Sequence, residues 1–146
     1  TLNTLLVSLF HDILDIEEKS LITEEFKDIS VNDMHVIEAI GMEEPQASSV
    51  VARRLDITMG TLTKAIDGLN DKGYVDRVRS KQDKRVVLLS LTKRGEAAFH
   101  HHAMFHRDMI QSVKGELSDQ ETTVLIYALA KLIDYFKEKY GIEDLG

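Results

Sequence analysis

The chain has 146 residues, of which 43% are hydrophobic and one is proline. This length and composition predict one domain with a substantial, mostly helical core. It contains no cysteine, which excludes a disulfide framework and thiol catalysis and favours a reducing cytoplasm. The net charge of −7 argues against general binding to polyanions, but residues 50–95 contain 11 Lys or Arg against 5 Asp or Glu. The rest of the chain contains 7 against 20, and a basic segment in an acidic chain is typical of a nucleic-acid-binding protein.

The first part of the chain predicts two helices. Apolar residues recur at helical spacing over residues 2–16, and an acidic bridge over residues 17–28 follows. Ser30 and Asp33 form a predicted capping box for a second helix that ends near Ile40. Polar residues interrupt the first apolar stretch and no basic region precedes it, so we expect no signal peptide and no membrane span, and a soluble cytoplasmic protein.

Two short helices with a brief turn between them predict a helix-turn-helix. The first helix begins at Ser48 or Ser49 and ends at Leu55, and the second is capped by Thr58 and ends before Gly73. In this motif the first helix crosses the DNA backbone and the second enters the major groove. The predicted phosphate contacts of the first helix are Ser48, Ser49 and Arg53. The outer face of the second presents groups that can contact bases and phosphates, namely Met59, Thr61, Thr63, Lys64, Asp67 and Asn70.

A β-hairpin is predicted next, because β-branched residues partly alternate with polar ones over residues 74–78 and 86–91. Its tip, residues 79–85, carries four cations, which is typical of a wing that lies along the sugar-phosphate backbone. The predicted DNA-binding residues of the wing are Arg77, Lys81, Asp83, Lys84 and Arg85.

Two long helices end the chain. Thr92 is predicted to cap the fifth helix, and Ser118 with Glu121 forms a capping box for the sixth. With the first helix, they present more apolar surface than a small DNA-binding head can cover, which favours a homodimer over a monomer core. The broad apolar face of the sixth helix consists of Val124, Leu125, Ala128, Leu129, Leu132, Ile133, Phe136 and Tyr140.

A set of short motifs fills residues 49–95: Val51-Ala-Arg-Arg-Leu55, Thr61-Leu-Thr-Lys64, Lys72-Gly-Tyr-Val75, Asp83-Lys-Arg85 and Leu91-Thr-Lys-Arg-Gly95. These motifs resemble the winged helix-turn-helix signature of MarR-type transcriptional regulators. The resemblance implies a two-fold dimer joined through its terminal helices, in which Asp83 orients Arg85 toward the minor groove.

We therefore predict a mainly α fold with a small β wing, a winged helix-turn-helix of six helices whose terminal helices form a homodimer interface. One domain covers residues 1–146, with a winged-helix lobe at about 30–95 and dimerisation helices at about 1–19 and 93–140. No glycine-rich phosphate loop, nucleophile elbow or His-Glu-x-x-His motif occurs, so we predict no enzyme activity. A remote alternative is a protein-interaction scaffold whose basic patch binds acidic protein.

Histidines cluster on the fifth helix at residues 100–102 and at His106. Because His102 and His106 are four residues apart, both can face one metal ion, and His35 offers another ligand. This arrangement resembles a zinc-sensing branch of the MarR family. That branch has an acidic residue where Met34 stands here and adds a Cys or carboxylate upstream. We therefore predict no cofactor, with a solvated histidine run and a core His106, and keep zinc as the alternative.

A second branch matches more of the chain. Residues 26–30, 34–41, 85–95 and 105–106 resemble the MarR-type repressor of fatty-acid synthesis genes in Gram-positive bacteria. This resemblance implies repression at an inverted-repeat operator, with acylated acyl carrier protein as co-repressor. The predicted ligand pocket consists of Leu9, Ile13, Met34, His35, Ile37, Phe99, Phe105, His106 and Met109. The cations predicted to dock the acidic carrier are Arg53, Arg54, Arg94 and Arg107.

Overall fold

The computed structural model describes residues 1–21, 23 and 25–141, and within them it contains six α-helices and three β-strands. The elements are α1 Leu2–Leu21, α2 Val31–Ile40, β1 Gln46–Ala47, α3 Ser48–Leu55, α4 Met59–Asp71, β2 Val75–Arg79, β3 Val87–Leu91, α5 Lys93–Glu116 and α6 Asp119–Tyr140. This arrangement confirms the prediction of a mainly helical winged helix-turn-helix fold. The chain forms two compact units, Thr1–Phe105 and His106–Gly146, so the first unit extends beyond the predicted lobe of residues 30–95.

The helices begin where their capping residues predict. The Ser30 hydroxyl accepts a hydrogen bond from the Asp33 backbone N–H at 3.1 Å, and the Asp33 carboxylate accepts one from the Ser30 N–H at 3.1 Å. Ser118 and Glu121 form the same reciprocal pair at the start of α6. Each pair satisfies two N–H groups that have no partner inside the helix, so both predicted capping boxes are confirmed.

The sheet has the order β1-β3-β2, and both pairs are antiparallel. The wing hairpin pairs Val75 with Leu91 and Arg79 with Val87, within one residue of the predicted strands. β1 was not predicted. It consists of two residues, Gln46 and Ala47, and two residues are too few to show the alternation by which a strand is recognised.

One apolar core lies inside the first unit. It consists of Leu21, Phe26, Ile29, Met34, Val36, Ile37, Ile40, Val51, Ala52, Leu62, Ile66, Leu69, Tyr74, Val75, Leu89 and Ala98. α1 continues to Leu21, so it includes the first residues of the predicted acidic bridge and ends two residues beyond the predicted bound of about 19. Glu17 and Leu21 are its buried residues, so the last turn of α1 contributes to this core. Two residues of the predicted acidic bridge, Ile22 and Glu24, lie outside the described residues.

The terminal helices expose apolar surface. In α1, Leu5 and Phe10 are 69% and 68% exposed, and in α6, Val124 and Ile133 are 66% and 52% exposed. No residue of α6 is buried. Within residues 1–21 and 25–141, no helix combines the length and the apolar character needed to cross a membrane.

Candidate nucleic-acid interface

The recognition helix α4 separates a buried face from an exposed one. Thr58 caps the helix by accepting a hydrogen bond from the Thr61 backbone N–H at 3.1 Å. Leu62, Ile66 and Leu69 point into the core at helical spacing. The outer face therefore turns toward solvent, with Met59, Thr61, Thr63 and Lys64 exposed on it.

Some polar groups of the outer face already have partners. The Thr63 hydroxyl donates to the Met59 carbonyl oxygen at 2.8 Å, which leaves its oxygen lone pairs free to accept. The Asn70 side-chain amide donates to the Val75 carbonyl oxygen at 2.9 Å and is only partly exposed. Asn70 thus ties the last turn of α4 to the start of β2, and its predicted contact with bases stays a prediction.

The tip of the wing is ordered by its own side chains. The Asp83 carboxylate accepts hydrogen bonds from the Arg85 Nε at 3.1 Å, Nη2 at 3.2 Å and backbone N–H at 3.0 Å. The Arg85 hydrogen bonds hold the pKa of Asp83 below its usual value. Arg79 donates to the Lys84 carbonyl oxygen at 2.9 Å, and Ser80 accepts from two N–H groups of the turn. Asp83 thus contacts Arg85 as the family resemblance implies, and Arg85 remains 91% exposed.

A groove of about 430 Å³ lies between the helix-turn-helix and the wing. Leu62, Ile66 and Leu89 contribute apolar surface to its lining. The Arg77 guanidinium of β2 pairs with the Asp67 carboxylate of α4 and so joins the wing to the recognition helix. Five predicted DNA-binding residues line this one groove, namely Ser48, Met59, Thr63, Arg77 and Arg85.

The other predicted DNA-binding residues are placed individually. Those that are exposed are Ser49, Arg53, Thr61, Lys64, Lys81 and Lys84, whereas Asp83 is partly buried. Their contacts with DNA stay predictions. No sequence motif predicts the Asp67–Arg77 pair or the bond from Arg79 to the Lys84 carbonyl oxygen, because the fold brings these groups together.

The predicted ligand pocket is only partly compatible with the structure. Met34 and Ile37 have no exposed surface and pack in the core, so they are not walls of an open channel, which corrects that part of the prediction. Among the other predicted pocket residues of the first unit, Leu9 is exposed. The partly buried ones are Ile13, His35, Phe99 and Phe105. His106 and Met109 belong to the second unit, and the pocket as a whole stays a prediction.

A carboxylate–imidazole cluster lies in the first unit, where His102 is 1% exposed. The Glu17 carboxylate lies 2.8 Å from His102 Nε2 and 3.3 Å from His35 Nε2, and the Glu38 carboxylate contacts His102 Nδ1. Burial opposes a charge on His102, but the hydrogen bonds to Glu38 and Glu17 outweigh it and raise its pKa. Burial likewise opposes a charge on Glu17, but bonds to His102 and His35 lower the pKa of that carboxyl.

These contacts correct the prediction that the histidine run is solvated and that His106 lies in the core. His102 is buried and paired, not solvated, and the His101 ring lies 2.9 Å from the Ser20 carbonyl oxygen. His106 is partly exposed, so the core position predicted for it belongs to His102. The sequence could not decide between the two, because both lie on the same helical face.

The four predicted docking cations differ in their surroundings. Arg53 and Arg107 are exposed, and Arg54 donates to the Ala39 carbonyl oxygen at 2.9 Å. Arg94 donates to the Asp28 carboxylate at 3.1 Å and stacks over an aromatic ring, so it has an intramolecular role that the prediction did not include.

Comparison with known proteins agrees with this geometry. The model of the MarR family matches residues 27–86. The multiple antibiotic resistance protein MarR of Escherichia coli is 35% identical over 80 residues, covering 54% of this chain and 56% of that protein. The transcriptional repressor YetL of Bacillus subtilis is 31% identical over 84 residues, covering 58% of this chain and 50% of that protein. The chain thus spans about half the length of the curated relatives it matches.

Solved structures extend the similarity over more than nine tenths of the chain. Streptococcus pneumoniae FabT in complex with DNA is 39% identical, with a TM-score of 0.88, covering 94% of this chain and 96% of that chain. The Staphylococcus aureus MepR–DNA complex, 20% identical with a TM-score of 0.74, covers 92% and 98% and shares the fold. The family is one of DNA-binding regulators, which confirms the prediction that the chain is not an enzyme. From its winged helix-turn-helix, its motifs and these similarities, the chain belongs to the MarR family.

Proposed function

We propose that the chain is a cytoplasmic transcriptional repressor that binds, as a homodimer, an inverted-repeat operator in duplex DNA. The observation that carries this proposal is the groove between α4 and the wing, which gathers Ser48, Met59, Thr63, Arg77 and Arg85 on a basic surface. Hydroxyl and cationic groups on an exposed helix face suit base edges, and wing cations suit phosphates and a narrow minor groove.

The exposed apolar helices support the dimer. The apolar faces of α1 and α6 are larger than a monomer of this size ordinarily leaves in water. A second copy of the chain covers them with the same surface, as two-fold symmetry requires. A symmetric dimer presents two recognition helices, so its operator is an inverted repeat whose half-site centres lie about 34 Å apart.

The test is selection of duplexes from a random-sequence pool by the purified protein, followed by sequencing. We expect enrichment of one inverted repeat, and at least about a thousandfold preference for it over a scrambled duplex of equal length. A protein that enriches no sequence and binds both duplexes equally would contradict the proposal. Selective binding of acidic proteins instead of the enriched duplex would favour the scaffold alternative.

We further propose that the operator controls fatty-acid synthesis genes and that acylated acyl carrier protein is the co-repressor. The support is the resemblance in residues 26–30, 34–41, 85–95 and 105–106, together with 39% identity to FabT, whose structure was solved with DNA. The acyl chain needs apolar surface, for which Leu9, Ile13, Phe99 and Phe105 are the first-unit candidates. The acidic carrier needs cations, which Arg53 and Arg54 supply at the exposed end of α3.

Long-chain acylated carrier is expected to raise operator affinity about tenfold, or about 1.4 kcal/mol, if it binds the DNA-competent state tenfold more tightly. The measurement is an operator titration with acylated carrier, unacylated carrier and no carrier. Reciprocity requires the operator to tighten carrier binding by the same factor. Equal operator affinity in all three titrations would remove the fatty-acid proposal and leave DNA binding intact.

A zinc-responsive repressor is the second candidate function. The cluster of Glu17, His35 and His102 favours it, because Glu17 supplies an upstream carboxylate of the kind that the zinc-sensing branch adds. Ligation needs neutral imidazoles, however. His102 has a carboxylate oxygen at both ring nitrogens, which stabilises the doubly protonated form. We therefore propose that no metal is required.

Protein treated with a chelator is expected to bind its operator as tightly as untreated protein. The measurement is a pair of operator titrations, with a third after readdition of zinc. A metal site would instead give stoichiometric zinc uptake, tighter DNA binding in the third titration and loss of the effect in a His102→Gln variant. That result would reverse the ranking of the two candidates.

A further inference from the structure

Asp28 joins three parts of the first unit that are distant in sequence. It lies in the turn between α1 and α2. Its Oδ1 accepts a hydrogen bond from the Tyr74 hydroxyl at 2.6 Å, and its Oδ2 accepts one from Arg94 Nη2 at 3.1 Å. Its backbone carbonyl accepts a third from Lys72 Nζ at 2.6 Å.

The partners of Asp28 stand at the edges of the proposed DNA-binding elements. Lys72 is the C-cap of α4, Tyr74 directly precedes β2, and Arg94 lies in the first turn of α5. Arg94 completes the junction by donating to the Lys72 carbonyl oxygen at 2.7 Å and stacking 4.3 Å from the centre of the Tyr74 ring. The junction therefore fixes the end of the recognition helix and the base of the wing to the same turn.

The junction has little freedom to relax. Tyr74 is fully buried, and a methyl group added at Gly95 would lie 2.1 Å from the Tyr74 carbonyl oxygen. The hydrogen bond from the Tyr74 hydroxyl, with the nearby Arg94 guanidinium, holds the pKa of Asp28 below its usual value although burial acts the other way. The carboxylate thus stays charged at neutral pH and keeps both charge-assisted bonds.

We infer that Asp28 is a positioning residue of the DNA interface, which sets the angle between the recognition helix and the wing through its bonds to Lys72, Tyr74 and Arg94. The inference rests on the proposed function. A carboxylate repels phosphates, so its contribution to DNA binding is geometric. Removing an acidic charge ordinarily favours DNA binding, whereas removing this one is expected to weaken it.

The test compares Asp28→Asn with Asp71→Asn. The first variant keeps an oxygen for the Tyr74 hydroxyl but loses the charge that holds Arg94. The second removes the same charge from an exposed residue at the end of α4. The probes are the duplex enriched by the wild type, the same duplex with its half-sites moved apart by one base pair, and a scrambled duplex.

We expect Asp28→Asn to bind the enriched duplex about fivefold more weakly, the scale of one ordinary hydrogen bond, and Asp71→Asn to show no loss. We also expect Asp28→Asn to discriminate less between the two half-site spacings while binding the scrambled duplex as the wild type does. A general loss of folding would weaken binding to every duplex, so the spacing readout separates positioning from stability.

Thermal unfolding shows whether the variants are folded at the assay temperature. If Asp28→Asn is not, Tyr74→Phe carries the test, because it removes one bond to Asp28 and keeps the charge, with an expected loss of about twofold to threefold. Equal affinity and equal spacing discrimination in folded Asp28→Asn, Asp71→Asn and wild-type protein would overturn the inference. A wild type that enriches no duplex would overturn the proposed function instead.

Discussion

Replacing Leu129 with glutamate is expected to convert the proposed dimer into monomers and to lower operator affinity by about 100-fold or more. Leu129 lies on the broad apolar face of α6 and is 46% exposed in the single chain. In the dimer, the new carboxylate would be buried against the partner copy without a counter-charge. This burial would cost roughly several kcal/mol of the free energy of dimerisation. A monomer presents one recognition helix and therefore loses the gain that comes from binding two linked half-sites.

The measurements are sedimentation velocity and an operator titration. Ala130→Glu is the matched control, because it adds the same charge at the next position of α6, outside the broad apolar face. We expect this control to stay dimeric. Leu9→Glu tests the exposed face of α1 in the same way. If Leu129→Glu and Leu9→Glu both remain dimeric and bind the operator normally, the terminal helices do not form the dimer interface.

Helix starts and the wing were predictable because their signals are local. A cap such as Thr58 needs only the N–H group three residues ahead, and the capping boxes at Ser30 and Ser118 need only one further side chain. The buried stripe of α4 follows from the helical period alone. These features repeat in any tertiary context, and sequence reasoning placed them within one or two residues.

Contacts between distant residues were not predictable. Glu17 and His102 are 85 residues apart, and Asp28 and Arg94 are 66 residues apart. Charged residues at such separations give no periodic signal, and partners can be assigned only once the helices are packed. For the same reason Glu17 was assigned to an acidic bridge, whereas in the structure it is buried at 7% exposure beside two imidazoles.

The wing shows how a resemblance and the structure complement each other. The motif Asp83-Lys-Arg85 implied an orienting carboxylate, and the structure gives three hydrogen bonds from Arg85 to Asp83. The salt bridge itself is exposed and contributes little to stability. Its value is conformational, since it restricts the long Arg85 side chain before DNA arrives and so lowers the entropy lost on binding.

Arg85→Ala is therefore expected to lower operator affinity by about 2 kcal/mol, or about thirtyfold, and to reduce the salt dependence of binding by about one unit of slope. Arg85 is 91% exposed at the tip of the wing, where its guanidinium can enter a minor groove. Thr63→Ala and Lys64→Ala on α4 are expected to weaken operator binding less than Arg85→Ala does. Of these two variants, only Lys64→Ala is expected to reduce the salt slope, because only it removes a charge. The measurement is an operator titration at several salt concentrations.

Two controls separate contact from orientation. Lys131→Ala removes one positive charge from α6 and is expected to leave affinity and salt slope near their wild-type values. Asp83→Ala leaves the Arg85 charge in place but removes its oriented hydrogen bonds, so we expect an intermediate loss of affinity with an unchanged salt slope. Undiminished operator affinity in Arg85→Ala, Thr63→Ala and Lys64→Ala would show that neither the wing nor α4 contacts the operator, and DNA binding would then have to be assigned to another surface.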